Sequence, residues 1–289
     1  MTDTNLIASL RPAAGPLSRR ALVKASLSVG FCAAVAPVLA QTITTSADGL
    51  IAGEVKVPTG DVEIPAYRAM PESGGPFPTV LVIHEIFGVH EHIKDICRRW
   101  AKLGYYAIAP ELFARQGDAA KETDIPTLMA TIVAKKSDAE VASDLDATLG
   151  FAKASGSADL ARAAVVGFCW GGRQVWLYAA HNPSLKAAVA WYGPLGVPLS
   201  ALRPRNPPDI VGDLKAPVLG LYGGIDRGIP LEQIEAMRQK LAAAGDASRI
   251  IVYPDAGHAF HADYRPSYVK VDAEASWQEA TAWLKAHGV

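Results

Sequence analysis

Three cysteines in 289 residues are too few to staple a fold, so disulfides do not organise this chain. Neither sign of charge dominates: 28 lysines and arginines stand against 29 aspartates and glutamates, a net charge of −1. No basic face follows from such a balance, which argues against nucleic acid as a partner. The longest apolar run, Ala25 to Leu39, is short and rich in alanine and serine, and falls below the length of a confident membrane span. No internal repeat or low-complexity block is present, which excludes solenoids and tails. No Cys/His spacing suggests zinc, so neither a metal nor a cofactor is expected. What remains is an ordinary globular mixture, 50% hydrophobic and 20% charged, long enough for an ample core.

The first 40 residues read as a targeting segment and not as part of the fold. Ser18-Arg19-Arg20-Ala21-Leu22-Val23-Lys24 resembles a twin-arginine export signal, followed by the apolar run and by Val38-Leu39-Ala40, which offers small residues for cleavage before Gln41. An uncleaved anchor is the alternative. Residues 1–40 carry four basic groups and one acid, so residues 41–289 hold a charge of −4. The expectations are recognition by the twin-arginine machinery, a periplasmic location, no stable membrane insertion after cleavage, and a single domain over 41–289. Cys32 leaves with the signal. Cys97 shares a helical apolar stripe with Ile93, Ile96 and Trp100 and reads as core, although an oxidising compartment could pair it with Cys169.

Along the chain, short apolar strands alternate with amphipathic helices. Strands are expected at Ile51 to Val57, Ile64 to Met70, Thr79 to Ile83, Tyr105 to Ala109, Ala163 to Val166, Ala187 to Trp191, Val218 to Tyr222 and Ile250 to Tyr253. Helices are expected at His92 to Leu103, Ile125 to Lys135, Val141 to Ala154, Arg173 to Ala180, Leu231 to Ala244 and Ala273 to Ala286. In the helix from Leu231, the residues Leu231, Ile234, Met237 and Leu241 should face inward. Leu195 to Leu214, with Pro198, Pro204, Pro207 and Pro208, reads as an excursion without regular structure. The alternation predicts an α/β fold, a mostly parallel, doubly wound sheet flanked by helices. The antiparallel start favours an open sheet over a closed barrel. Ligands of such sheets bind beyond the carboxyl ends of the strands, which collects Glu85, Cys169, Asp226 and His258 in one region.

The chemistry centres on Gly167-Phe168-Cys169-Trp170-Gly171-Gly172. A buried strand precedes it and a helix follows, the layout of a nucleophile elbow with cysteine at its apex. The glycines let strand and helix approach closely around a strained apex. Taken alone, the motif also fits a buried structural cysteine. Cys169, Asp226 and His258 then follow in the chain order nucleophile, acid, histidine. The thiolate would attack, His258 would shuttle the proton, and Asp226 would orient the imidazole. Gly257 would let the backbone turn so that the ring faces the elbow. An oxyanion hole needs two amides; Trp170 supplies one, and Ile86, in the loop after an earlier central strand, is the natural second. Trp191 and Tyr192 close a strand and either wall the pocket or belong to the core.

At this point the chain resembles the dienelactone hydrolase (carboxymethylenebutenolidase) family of the α/β-hydrolase superfamily. The matching segments, in family order, are His84-Glu85-Ile86-Phe87-Gly88, Ala109-Pro110-Glu111-Leu112-Phe113-Ala114-Arg115, the elbow, Gly223-Gly224-Ile225-Asp226 and Ala256-Gly257-His258-Ala259-Phe260. The resemblance implies hydrolysis of a small-molecule ester or lactone through a thioester acyl-enzyme. It implies that Glu85 contacts the nucleophile thiol and helps generate the thiolate when substrate binds, and that Arg115 binds a substrate carboxylate. The family's second carboxylate-binding arginine falls at Ala262, and Arg265 is the residue placed to reach in from a shifted position. Two other readings stand beside this one: a broad-range periplasmic esterase or thioesterase not acting on dienelactone, and a redox or binding protein using a reactive thiol. The sequence sets no oligomeric state.

Overall fold

The computed structural model of this protein describes residues 43–289. The export signal, its cleavage site and Cys32 lie outside the described residues. The described part holds eight strands in one sheet and six α-helices. In chain order these are β1 (Leu50–Pro58), β2 (Glu63–Pro71), β3 (Phe77–Ile83), α1 (Glu91–Lys102), β4 (Tyr106–Pro110), α2 (Ile125–Thr131), α3 (Asp138–Ala154), β5 (Ala158–Phe168), α4 (Trp170–His181), β6 (Leu185–Trp191), β7 (Val218–Gly223), α5 (Leu231–Ala244), β8 (Arg249–Tyr253) and α6 (Lys270–Ala286).

The strand order is β1-β2-β4-β3-β5-β6-β7-β8. The β1–β2 and β2–β4 pairs are antiparallel and all others parallel. After β3 the chain crosses to one side to make β4; after α3 it returns to the other side to make β5. The order therefore reverses between β3 and β5, where open α/β sheets form their ligand crevice. Val80 to Ile83 and Ala163 to Val166 are fully buried, as central parallel strands covered on both faces require. The mostly parallel, doubly wound sheet read from the alternation is the one observed.

Helix stripes account for the outer layers. Ile93, Ile96, Cys97 and Trp100 are all fully buried on α1, and Val141, Leu145, Leu149 and Ala152 are buried on α3. Several elements depart from the sequence reading. The helix expected over Ile125 to Lys135 ends as α2 at Thr131, and a separate 3-10 turn follows over Val133–Lys135. Thr131, Ile132 and Val133 are consecutive β-branched residues, which favour helix weakly. β5 starts five residues before Ala163, because its polar first half, Ala158 and Asp159, still pairs with β3 across a register shift. The proline-rich excursion contains two 3-10 turns, Pro207–Asp209 and Val211–Asp213. Leu231, expected inward, is exposed at the start of α5.

At the elbow, backbone packs directly against backbone. A Cβ on Gly171 would lie 2.4 Å from the His84 carbonyl oxygen, and one on Gly172 would lie 2.6 Å from that of Trp191. Backbone cannot yield there as a side-chain tip can. Gly171→Ala is expected to destabilise the protein by about 3 kcal/mol or more in urea denaturation, the upper end for overpacked core sites. Gly104→Ala is the control: its φ is +93° with nothing within 4 Å of the added methyl, so only the left-handed penalty of about 1–2 kcal/mol applies. Equal losses in the two variants would refute the packing account.

Candidate active site

Cys169 sits between β5 and α4 with φ 54° and ψ −120°. Its N–H donates to the Trp191 carbonyl at 3.0 Å, and its carbonyl accepts from the Arg173 N–H at 3.2 Å. The strained apex is thus pinned from both sides. Two further non-glycine residues have positive φ, Tyr192 (37°) and Ala259 (60°), and both adjoin the same site. Such strain persists only where the surroundings over-determine it. Ala259, not Gly257, takes the left-handed conformation beside His258; Gly257 has no positive φ. The turn expected of the glycine is made two residues later.

The three loops after β5, β7 and β8 bring Cys169, Asp226 and His258 together. His258 Nε2 lies 3.2 Å from Cys169 Sγ, and His258 Nδ1 lies 2.7 Å from Asp226 Oδ2. The second carboxylate oxygen of Asp226 accepts the Gly228 N–H at 2.8 Å, which fixes the group for the imidazole. The Asp226 and His258 loops are themselves locked: Gly224 N–H donates to the Tyr253 carbonyl at 2.7 Å and Ile225 N–H to that of Ala256 at 3.0 Å. Burial works against charge on His258, but the facing Cys169 sulfur and the Asp226 carboxylate outweigh it and push its pKa up to about 10. The geometry can hold a thiolate–imidazolium pair, and it can pass a proton between sulfur and a group docked on Nε2.

Neither the Ile86 nor the Trp170 amide donates a hydrogen bond to protein among the described residues. Trp170 is the first residue of α4, whose initial N–H groups have no intrahelical acceptor. Ile86 belongs to the turn after β3.

Glu85 is buried in the same turn, at 1% exposure. Its hydrogen-bonding partners are not Cys169: its Oε2 accepts a hydrogen bond from the Tyr264 hydroxyl and faces His90 Nε2 at 3.5 Å. Arg265 Nε in turn donates to the Tyr264 hydroxyl at 3.1 Å, and its guanidinium lies 4.8 Å from the Phe87 ring. Burial opposes the Glu85 charge, yet His90 and the Arg265 cation hold its carboxyl well below the usual range, so it stays ionised. Arg265 also feels the Cys169 charge. Of the two expected arginines, the structure brings Arg265 to the site. It does not bring Arg115 to this cluster. That guanidinium is held by Asp61 (2.6 and 2.8 Å), Asp144 (2.9 and 3.0 Å) and Thr59 (2.7 Å), with Glu140 at 3.4 Å. Tyr192 is fully buried with its ring 5.2 Å from that of His258. Trp191 points into the core, where its Nε1 donates to Ser276 at 3.1 Å and its ring stacks on Phe168. Cys97 and Cys169 are both free thiols, and burial pushes the Cys97 pKa far up.

Sequence reasoning passed over His90, Tyr264 and His84. Tyr264 immediately precedes Arg265, and that adjacency was the signal available for it. His90 and His84 flank Glu85 within seven residues of chain, and that density of histidine was the signal available.

The dienelactone hydrolase family model matches residues 64–288. The chain belongs to that family. A Methylorubrum extorquens protein provisionally named carboxymethylenebutenolidase is 60% identical over 274 residues, covering 94% of each chain. A provisionally named carboxymethylenebutenolidase from Escherichia coli strain K12 is 54% identical over 260 residues, 90% of this chain and 96% of that one. The crystal structure of a provisionally named dienelactone hydrolase from Klebsiella pneumoniae superposes with a TM-score of 0.80 at 54% identity, covering 82% of this chain and 98% of that one. This dienelactone hydrolase family member is therefore a hydrolase of the α/β-hydrolase superfamily.

The His258 pKa generates a test. Raised from 6.5 to about 10 by folding, it contributes stability that is complete below about pH 6.5 and lost as pH rises through about 10. The imidazole signals of His258 followed by NMR should titrate near pH 10 in the wild type, and at least about one unit lower in Asp226→Asn. An unchanged midpoint in that variant would show that the carboxylate does not support the imidazolium.

Proposed function

We propose that this hydrolase cleaves small esters or lactones through a Cys169 thioester, with Cys169, His258 and Asp226 as its triad. The observation that carries the reading is the unbroken contact from Asp226 Oδ2 through the imidazole to Cys169 Sγ, set at a strained elbow. The Cys169 sulfur attacks the substrate carbonyl carbon, and the carbonyl electron pair moves to oxygen. The Trp170 and Ile86 N–H groups donate to that oxyanion as it forms. The N-terminus of α4 adds a positive field at the sulfur. Collapse of the tetrahedral species expels the alkoxide, which takes the proton from His258 Nε2 and leaves a thioester on Cys169. His258 then takes a proton from water, the hydroxide adds to the thioester, and Cys169 leaves as thiolate to restore the pair. Asp226 keeps one tautomer throughout. For Glu85 to take the thiol proton, as the resemblance implies, it must exchange Tyr264 and His90 for Cys169 when substrate binds. Arg265, engaged with Tyr264 and Glu85, is the cation we assign to a substrate carboxylate.

A second reading, a broad-range esterase or thioesterase, is favoured by a specific observation. Arg115 is engaged by three acidic side chains, and alanine stands at position 262. A carboxylate-bearing lactone then has fewer cations to recognise it than in the dienelactone enzymes. We also propose export by the twin-arginine route, on the strength of Arg19 and Arg20 ahead of the apolar run.

Intact-mass trapping with p-nitrophenyl acetate, an acyl thioester and cis-dienelactone should yield an acyl adduct on the wild type and none on Cys169→Ala. His258→Ala and Asp226→Asn should each lower kcat by about 10³–10⁴-fold. Absence of any Cys169-dependent adduct across the panel would refute the thioester reading; turnover of the simple esters alone would select the broad-range one. For export, Arg19→Lys together with Arg20→Lys should leave the precursor in the cytoplasm on cell fractionation. Normal periplasmic accumulation of that variant would exclude the twin-arginine route.

A further inference from the structure

His84 is fully buried at the end of β3, and the acyl-transfer scheme above makes no use of it. Both its nitrogens have partners of fixed character. The Leu112 N–H points at Nε2 from 3.0 Å, and a backbone amide can only donate. The Glu85 carbonyl oxygen lies 2.6 Å from Nδ1, and a carbonyl can only accept. One neutral tautomer satisfies both: a lone pair on Nε2 and the proton on Nδ1. A charged ring would set N–H against N–H at Leu112. Glu111 Oε1 stands 3.4 Å from Nε2, but that carboxylate already accepts the Phe113 N–H through Oε1 and the Val89 N–H through Oε2. Burial lowers the His84 pKa more than Glu111 raises it, in keeping with a neutral ring.

The Nδ1–H bond has a geometric consequence one atom further on. The Glu85–Ile86 peptide is trans, so its carbonyl and N–H point in opposite directions. Drawing the Glu85 carbonyl to the imidazole turns the Ile86 N–H away from it, and that amide has no protein acceptor among the described residues. The same ring stacks on the Trp170 indole, centroids 5.6 Å apart and planes 16° from parallel, with Phe113 tilted against it at 5.0 Å. Trp170 carries the other unoccupied amide. The His84 carbonyl also abuts Gly171, so the turn and the start of α4 are in direct contact. At the far end of the turn, Glu111 fixes Val89.

We propose that His84 is a positioning residue for the oxyanion hole: its Nδ1–H bond to the Glu85 carbonyl aims the Ile86 N–H, and its stack on Trp170 registers that amide against the second donor. The inference rests on the acyl-transfer reading. Without the bond, the Glu85–Ile86 peptide is free to rotate and one of two donors is misaimed. The loss falls on kcat, since the oxyanion exists only after attack.

The test uses the full enzyme with p-nitrophenyl acetate, and iodoacetamide as a second probe of Cys169. The thiolate displaces iodide from the saturated carbon of iodoacetamide, a substitution that develops no carbonyl oxyanion. His84→Phe keeps a ring between Trp170 and Phe113 but removes both nitrogens. Its kcat should fall by about 10–100-fold, with KM within about twofold and the alkylation rate unchanged. His84→Asn, whose Nδ2 occupies the place of Nδ1, should recover most of kcat. If His84→Phe does not fold, His84→Leu carries the same comparison. Full kcat without the donor, alkylation that falls in step with kcat, or no recovery by asparagine would each overturn the proposal. A wild type that alkylates at Cys169 yet never forms an acyl adduct would refute the acyl-transfer reading itself, which separates the two failures.

Discussion

The whole site depends on one steric constraint: strand β5 and helix α4 meet with no room for a β-carbon between them. Gly167 lies against Gly171, Gly171 against the ends of β3, and Gly172 against Gly193 and Trp191. This contact forces Cys169 to positive φ and thrusts its side chain out of the layer. It also brings the β3 turn within touching distance of the helix that carries Trp170. A hydrogen bond or ion pair could be replaced by another of similar worth, but excluded volume between backbones has no substitute.

Around that contact, charge is arranged in two separate groups. His258 faces the sulfur and Asp226 faces His258, and together these neighbours favour the imidazolium. Glu85, Tyr264, His90 and Arg265 form a second, largely buried set, in which the carboxylate is held ionised by neighbours other than the sulfur. Keeping Glu85 off Cys169 matters electrostatically, because a carboxylate in contact with a thiolate would destabilise both anions. His84 belongs to neither group. Its neutrality is imposed by one backbone donor and one backbone acceptor, a purely local device.

Much of this was legible in residue order. The eight strands and the elbow follow from apolar runs broken by glycine and proline, and the strand ends point to Glu85, Cys169, Asp226 and His258. Arg115 was legible only as a match to a family position. Its observed partners, Asp61 and Asp144, are 54 and 29 residues away, and no local pattern announces them. Trp191 and Tyr192 are adjacent in sequence and both buried, yet one packs against Ser276 and Phe168 and the other meets His258, because β6 ends at Trp191 and Tyr192 turns the chain with a positive φ. The left-handed turn at Ala259 was assigned to Gly257 because glycine is the default for that conformation, whereas tertiary contacts can hold an alanine there.

The amino-acid sequence by itself determined the fold class, the elbow and the order of the groups that the strands carry to one edge. Periodicity and glycine placement act over a few residues, and their consequences are local. The tertiary structure alone decided which cation faces the sulfur, which carboxylates neutralise Arg115, and which tautomer His84 adopts. Each of those depends on distances between atoms far apart in the chain, set by how the layers pack.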